Sequence, residues 1–244
     1  MRYAILGDIH ANLIAFKTVL ENIEAGGGFD EIWCLGDVVG YGPEPHACIE
    51  LLRCYNHICV AGNHDWAAIG KIDISDFNPD AAEACRWTAQ QLTAEDVNYL
   101  RDLPLTLKRD DFTLVHGSPR RPVWEYLLSV DRARDNFTHF DTKFCLVGHS
   151  HVPLIFWQDK TGNCFGAKIP NEIRLKSPSH RLIINPGGVG QPRDGDPRAS
   201  YALYDSDAQI VYHHRVDYDI ASTQRKMMEY GLPSFLIFRL SHGY

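Results

Sequence analysis

Short apolar runs alternate with amphipathic stretches through the first half of the chain. The apolar runs have the length of buried β-strands, whereas the stretches between them repeat apolar residues at helical spacing. Strands are predicted at residues 2–6, 32–35, 57–61, 105–108 and 112–115. Helices are predicted at residues 12–24 and 43–53, and in pieces over residues 66–103. Alternating strands and helices of this kind predict an α/β architecture.

The second half of the chain contains few helical stretches. Strands are predicted at residues 144–147, 154–157, 182–184, 201–204 and 210–213, the last two as antiparallel edge strands. Helices are predicted at residues 131–140 and from Asp219 toward Tyr230, and residues 159–179 as an extended loop or hairpin. We therefore expect a second, mostly antiparallel sheet that packs against the first. No repeat or linker interrupts the pattern, so residues 1–244 are interpreted as a single domain.

Composition and charge narrow the class of protein. Of 244 residues, 45% are hydrophobic and 23% are charged, which is typical of a soluble folded chain. The formal charge of −7 disfavours a dedicated nucleic-acid binder, which is usually basic. The apolar start is too short for a signal peptide, and no apolar run reaches the roughly 18 residues of a membrane span. The seven cysteines include no CxxC pair, so we expect reduced thiols in a cytoplasmic protein.

Polar side chains suited to metal binding follow five of the predicted strands. They are Asp8 and His10, Asp37, Asn63 and His64, His116, and His149 and His151. In α/β sheets ligands bind beyond the carboxyl ends of the strands, so we expect these side chains to converge. Carboxylate, amide oxygen and imidazole together suit divalent metals such as Mn, Fe, Zn or Co.

The spacing within this set supports convergence. Asp8 and His10 are two residues apart, as are His149 and His151, and strand-like geometry would point both members of a pair to one side. A preceding glycine would let the backbone turn sharply and approach a metal. Such a glycine stands before Asp8, Asp37, Asn63 and His149.

In order, these motifs resemble those of the calcineurin-like metallophosphoesterases. The family pattern is Asp-x-His, Gly-Asp, Gly-Asn-His-Asp, a lone strand-end His and Gly-His-x-His. It matches this chain at residues 8–10, 36–37, 62–65, 116 and 148–151. Residues 185–190, Asn-Pro-Gly-Gly-Val-Gly, resemble the small prokaryotic branch of phosphodiesterases and diadenosine tetraphosphatases.

The resemblance implies a fold and a metal site. The fold would be a two-layer β-sandwich of mixed sheets flanked by helices, with two divalent ions at its edge. We expect Mn, with Fe, Zn, Co, Ni or Mg as alternatives. By matched position, one ion would be bound by Asp8, His10 and His151. The second ion would be bound by Asn63, His116 and His149, and Asp37 would bridge the two.

The resemblance also implies a reaction. A hydroxide that bridges the metals would attack the phosphorus of a phosphodiester or nucleotide, and His64 would stabilise or protonate the leaving oxygen. Asp65, the second predicted catalytic residue, either orients His64 or only caps the next helix. Arg193 lies in a turn-rich stretch after a strand end and is the predicted substrate contact, with a solvated loop as the alternative. Residues 159–179 could form a lid, an edge hairpin or an interface.

One departure from the family pattern bears on the activity. Protein phosphatases of the family carry Gly-Asp-x-x-Asp-Arg-Gly. In this chain Gly40 replaces the second Asp of that motif and Tyr41 replaces the Arg. This counts against a protein phosphatase. The sequence is also compatible with a non-catalytic metal-bound scaffold or regulatory protein and with a mononuclear site, and it leaves homo-oligomerisation open.

Overall fold

The computed structural model describes residues 1–176 and 180–244, and within them twelve strands and eight helices follow one another. The strands are β1 (Arg2–Leu6), β2 (Glu31–Cys34), β3 (His57–Cys59), β4 (Thr106–Arg109), β5 (Phe112–Val115), β6 (Phe144–Leu146), β7 (Leu154–Gln158), β8 (Cys164–Lys168), β9 (Glu172–Arg174), β10 (Arg181–Asn185), β11 (Ala199–Asp205) and β12 (Ile210–Val216). The helices are α1 (Leu13–Ala25), α2 (Pro45–Arg53), α3 (Asn63–Ala68), α4 (Pro79–Gln91), α5 (Ala94–Asp102), α6 (Val130–Asn136), α7 (Ile220–Glu229) and α8 (Ser234–Arg239).

The strands form two six-stranded sheets, both of them mixed. The first has the order β3-β2-β1-β11-β12-β9, in which β1, β2 and β3 are parallel to one another. The second has the order β4-β5-β6-β10-β7-β8, in which β5, β6 and β10 are parallel. The predicted sandwich of two mixed sheets flanked by helices is therefore confirmed, although the second sheet contains more parallel pairing than we expected.

Apolar side chains on both faces of the strands form three packed interfaces, one between the sheets and one between each sheet and its helices. Ile5 and Trp33 of the first sheet and Phe112 and Ile184 of the second lie in the core between the sheets. Neighbouring residues on the same strands face the other way because side chains alternate. Ala4, Leu6 and Ile32 thus pack beneath α1 and α2, and Cys145 and Ile183 pack beneath α6. Strands β1, β2, β5, β6 and β10 are buried on both faces because both faces of each sheet are covered there.

Strands β11 and β12 were wrongly predicted to lie at an edge, because β11 lies between β1 and β12 and β12 lies between β11 and β9. The residues of β11 from Ala199 to Tyr204 are buried. Its alternating polar groups are satisfied inside the protein, since Tyr201 Oη donates to Asn22 Oδ1 at 2.6 Å and Ser200 Oγ donates to the Pro186 carbonyl at 2.6 Å. Polar groups can be buried when they form hydrogen bonds. The alternation of polar and apolar residues along β11 therefore does not indicate a solvent-exposed face.

The segment 159–179 closes the sheets at their edges as far as it is described. β8 pairs with β7 at the edge of the second sheet, and β9 pairs with β12 at the edge of the first. Residues 177–179 lie outside the described part of the chain. All seven cysteines are free. Among the described residues, no helix is long and apolar enough to cross a membrane.

Candidate metal centre

The carboxyl ends of the parallel strands bring all seven predicted metal ligands to one edge of the sandwich. None of them is more than 5% exposed to solvent. The ligand atoms of six of them fall into two groups, each with atoms within 4.8 Å of one another. One group contains Asp8, His10 and His151, and the other contains Asp37, His116 and His149.

Asp37 lies between the two groups. Its Oδ2 atom is 3.5 Å from Nε2 of His10 in the first group and 3.3 Å from Nε2 of His116 in the second. Asn63 joins the second group, since its Oδ1 atom is 3.1 Å from Nε2 of His116. Asp37 therefore occupies the position that a bridging carboxylate requires.

Backbone carbonyls orient three of the imidazole rings. Nδ1 of His10 lies 3.1 Å from the Val39 carbonyl oxygen, and Nδ1 of His116 lies 2.8 Å from that of Leu35. Nδ1 of His151 lies 2.5 Å from the Gln191 carbonyl oxygen. A proton on Nδ1 leaves the lone pair on Nε2, which points into the centre. His149 is held differently, because its ring stacks on Tyr126 at 3.9 Å.

The two carboxylates each keep one oxygen free. Asp8 Oδ1 accepts the His149 amide at 3.0 Å, and Asp37 Oδ1 accepts the His64 amide at 2.9 Å. The Oδ2 atom of each is buried and accepts no hydrogen bond from a described residue. Nε2 of His10 and Nε2 of His151 also lie only 3.1 Å apart. Unpartnered oxygens beside inward-facing imidazole nitrogens fit the donor set of divalent transition metals.

Five of the seven predicted ligands have a left-handed backbone conformation. Their φ angles lie between 49° and 64°, and they are Asp8, His10, Asp37, His149 and His151. Non-glycine residues in this region store roughly 1–3 kcal/mol each, and such strain clusters at functional sites. The expectation that the ligand pairs continue strand geometry was wrong, because β1 ends at Leu6 and β6 at Leu146. Asp8 and His10 still share one group, whereas His149 and His151 belong to different groups.

The glycines that precede candidate ligands leave space for the ligand side chains. A Cβ atom on Gly62 would lie 2.0 Å from Oδ1 of Asp37. Of the four glycines, only Gly36 has a left-handed backbone, with a φ of +87°, whereas the ligands Asp8, Asp37 and His149 that follow three of them are left-handed themselves.

Burial and mutual charge shift the pKa values of the ligands in the absence of metal. Burial raises the pKa of Asp8 to about 7. Burial opposes the ionisation of Asp37, yet His116 and His64 hold the pKa of Asp37 below its usual range. Burial opposes the charge on His116 too, but Asp37 raises the pKa of His116 to about 9. Burial lowers the pKa of the remaining ligand imidazoles, His10, His149 and His151. A metal that binds here must displace protons, so rising pH favours binding.

Asp65 makes the contacts of a backbone cap. Its carboxylate accepts the amides of Asp37 at 2.8 Å, Val39 at 3.2 Å and Gly62 at 2.9 Å. No hydrogen bond joins it to the side chain of His64 in the described structure, where Nδ1 of His64 is buried without a partner. These contacts are those of the capping role considered for Asp65, and its catalytic role stays a prediction.

Arg193 lies beside the centre. Its guanidinium is 5.6 Å from the ring centre of Tyr41 and donates to Gln191 Oε1 at 2.9 Å. Its Nε atom is buried without a partner among the described residues. Two further arginines that could contact a phosphate are engaged elsewhere, since Arg120 pairs with Glu125 and Arg198 pairs with Asp196.

A cleft of about 620 Å³ opens beside the centre. Asn63, His64 and His149 line it together with Phe77, Arg121, Trp124 and Tyr126. The three aromatic residues were missed in the sequence, where the only signal was the turn-rich stretch after His116 that contains Trp124 and Tyr126. No residue of 159–176 lines the cleft; within this segment β8 forms a hairpin with β7 and β9 pairs with β12, so both strands lie at sheet edges.

Two mixed sheets with a buried Asp/His/Asn centre at the ends of their parallel strands define the class of metal-dependent phosphoesterases. The chain belongs to the calcineurin-like phosphoesterase superfamily, whose domain profile matches residues 1–209. The resemblance found in the motifs and the predicted enzyme class are thereby confirmed.

Several known proteins are similar to this chain. The crystal structure of a metallophosphoesterase from Sphaerobacter thermophilus has 50% sequence identity and a TM-score of 0.88, covering 100% of this chain and 99% of the other. An uncharacterized protein of Methanocaldococcus jannaschii is 38% identical, covering 98% of this chain and 97% of the relative. A symmetrical bis(5′-nucleosyl)-tetraphosphatase of Haemophilus ducreyi is 30% identical over 137 residues, which are 54% of this chain and 50% of that enzyme.

Proposed function

We propose that this chain hydrolyses phosphate esters of the phosphodiester or nucleotide type at a dinuclear metal centre. The observation that carries the proposal is the position of Asp37, whose Oδ2 atom lies 3.5 Å from His10 and 3.3 Å from His116. A carboxylate oxygen has more than one lone pair, so a carboxylate between two ligand groups can bind an ion on each side. A mononuclear site would need only one of the groups.

The residues of each group would hold one ion. Asp8, His10 and His151 would bind the first, Asn63, His116 and His149 the second, and Asp37 both. Two such ions supply an activated water at neutral pH and positive charge for the phosphoryl oxygens. Mn is the metal we propose, although the donor set also suits Fe, Zn, Co or Ni.

His64 is proposed to act on the leaving oxygen rather than on a metal. It lines the cleft beside the centre, and its Nδ1 atom has no partner among the described residues. Burial lowers the pKa of His64 to about 4, so its imidazole is neutral at pH 7 and can donate one hydrogen bond. Protonation of the leaving oxygen by His64 requires that a bound anion raise this pKa toward the working pH.

Arg193 is proposed to bind the phosphate. It is a cation beside the centre with a buried Nε atom that lacks a partner among the described residues. Its guanidinium is held 5.6 Å from the ring centre of Tyr41, and an arginine fixed in this way can form charge-assisted hydrogen bonds to a phosphate. Because the pair Gly40 and Tyr41 replaces the Asp and Arg of protein phosphatases, a protein substrate is not proposed.

Dinucleoside polyphosphates are one candidate substrate class. The support is the name of the Haemophilus ducreyi relative, and the match spans only about half of that enzyme. The interpretation of residues 1–244 as one domain and the cytoplasmic location also remain proposals, the latter supported by seven free cysteines.

Metal removal and add-back tests the proposed function. The chelated protein is given Mn, Co, Ni or Zn, and turnover is measured on a phosphomonoester, a phosphodiester and a dinucleoside polyphosphate. We expect no turnover without metal and the highest turnover on one of the two latter substrates. If no substrate is hydrolysed with any metal, the non-catalytic scaffold replaces the enzyme as the better account.

A further inference from the structure

The cleft beside the metal centre has the size of a small-molecule site. Its volume of about 620 Å³ lies within the range of roughly 300–1,000 Å³ that is common for ligand pockets. Its wall at the metal centre contains His64 and His149, whereas Phe77 and Trp124 supply aromatic surface. A ligand that fills the cleft therefore contacts the metal centre with one part and aromatic rings with another.

Trp124 is an exposed aromatic residue in this wall. Its side chain is 41% exposed to solvent, although most large apolar side chains of the protein are buried. The ring of Phe77 meets it edge-to-face, with centroids 6.1 Å apart and planes at 84°. The indole thus has an aromatic neighbour and still keeps solvent-exposed surface, and exposed tryptophan surface in a cleft is typical of a binding site.

A buried ionic network fixes the loop that presents Trp124. The neighbouring Glu125 is only 5% exposed and accepts hydrogen bonds from Ser118 Oγ at 2.6 Å and Asn136 Nδ2 at 2.9 Å. Arg120 forms an ion pair with the same carboxylate. Because Glu125 is held from three sides, Trp124 is presented at little further cost in conformational entropy.

The charges along the cleft differ from one part to another. The metal centre would attract an anionic group, as would Arg121, whose side chain has no ion-pair partner among the described residues. Asp73 and Asp76 also line the cleft and can accept hydrogen bonds from hydroxyl or amino groups. A ligand with a phosphate at one end and a planar ring carrying polar groups at the other matches this distribution.

We propose that the cleft is a nucleobase subsite in which the base of a nucleotide stacks on Trp124 and is bounded by Phe77. The orientation of the nucleotide, with its phosphate at the metals, rests on the proposed function, whereas the stacking does not. Base stacking on one aromatic side chain strengthens binding by roughly 5- to 150-fold. The subsite would therefore select nucleotides over phosphate esters of similar charge that lack a base.

Calorimetric titration of the metal-loaded chain tests the subsite without relying on turnover. The two ligands are hydrolysis-resistant phosphonate analogues of adenosine 5′-monophosphate and of methyl ribofuranoside 5-phosphate, in which a methoxy group on C1′ replaces the base and keeps the sugar ring closed. We expect the adenosine analogue to bind about 5- to 150-fold more tightly. Trp124→Ala should bring this ratio close to one, and Trp124→Phe should retain most of it.

A matched variant controls for the loss of exposed aromatic surface. Phe165 is 44% exposed and does not line the cleft, so Phe165→Ala should leave the ratio unchanged. Equal affinity for the two ligands in the unaltered chain, no binding of the adenosine analogue, or an unchanged ratio in Trp124→Ala would each overturn the subsite. Preference for the adenosine analogue without hydrolysis of any ester would instead refute the proposed function and leave the subsite standing.

Discussion

Gly40 lies against His64 so closely that a Cβ atom on Gly40 would be 2.8 Å from Nδ1 of the imidazole. Gly40 also has a φ of +91°, a conformation that other residues rarely adopt. The family's protein phosphatases have an aspartate here, but this chain has no space for its side chain. His64 is positioned by packing instead, with the rings of Tyr41 and Phe77 centred 4.3 and 5.1 Å away.

Gly40→Ala should impair catalysis without loss of metal. The added methyl group must displace His64, and a misplaced catalytic group can lower turnover by about 10- to 100-fold. The measurement is kcat on the best phosphodiester together with metal content. Gly162→Ala is the matched control, since Gly162 has a φ of +87° with no heavy atom within 4 Å of a Cβ atom. Full activity in Gly40→Ala, or equal losses in both variants, would contradict the packing account.

His64→Ala should retain both metal ions and lose most turnover. His64 contributes its backbone amide to Asp37 at 2.9 Å, and that contact survives removal of the imidazole. Proton transfer or hydrogen bonding by a placed imidazole is typically worth about 10²–10⁴-fold in rate. Elemental analysis and kcat are measured on the same preparation. Undiminished kcat would remove His64 from the mechanism.

Asp65→Asn separates the two roles considered for Asp65. The carboxylate accepts three backbone amides around Asp37, and an asparagine at this position would turn a donor toward at least one of them. We expect metal affinity to fall by about 10- to 100-fold, as for other groups that orient a metal ligand. Turnover at saturating metal should stay close to that of the unaltered chain. A large loss of kcat at saturating metal would favour the orienting role toward His64.

Glu125 should make stability depend on pH in the acid range. Burial opposes its ionisation, but hydrogen bonds from Arg120, Ser118 and Asn136 lower its pKa to about 2 from an ordinary value of 4.5. A depressed carboxyl pKa stabilises the folded state above about pH 4.5, and this contribution is lost as the pH falls toward 2. The shift corresponds to roughly 3 kcal/mol in the free energy of unfolding.

Urea unfolding of the unaltered chain and of Glu125→Gln between pH 7 and pH 3 measures this contribution. The difference in unfolding free energy should be largest at pH 7 and shrink progressively below about pH 4.5. A difference that stays constant with pH would mean that the carboxylate charge contributes nothing.

The convergence of the seven candidate ligands could be predicted from the sequence because each follows a recognisable strand end, and their order along the chain matches a family pattern. The left-handed backbone of Asp8 and Asp37 could not, since strand and turn propensities favour glycine at such angles. The aromatic wall also escaped prediction because Phe77 and Trp124 meet across distant loops. The central position of β11 could not be predicted because its polar residues suggested a solvent-exposed face, whereas the hydroxyl of Tyr201 is hydrogen-bonded to Asn22 inside the protein.

The dinuclear centre is tested most directly by titrating the metal-free chain with Mn²⁺ while bound metal and phosphodiester hydrolysis are followed together. Because Asp37 contacts both ligand groups, we predict two ions per chain at saturation and turnover that appears with the second equivalent. Full turnover at one ion per chain would contradict the dinuclear mechanism, and two bound ions without turnover of any ester would contradict the enzyme.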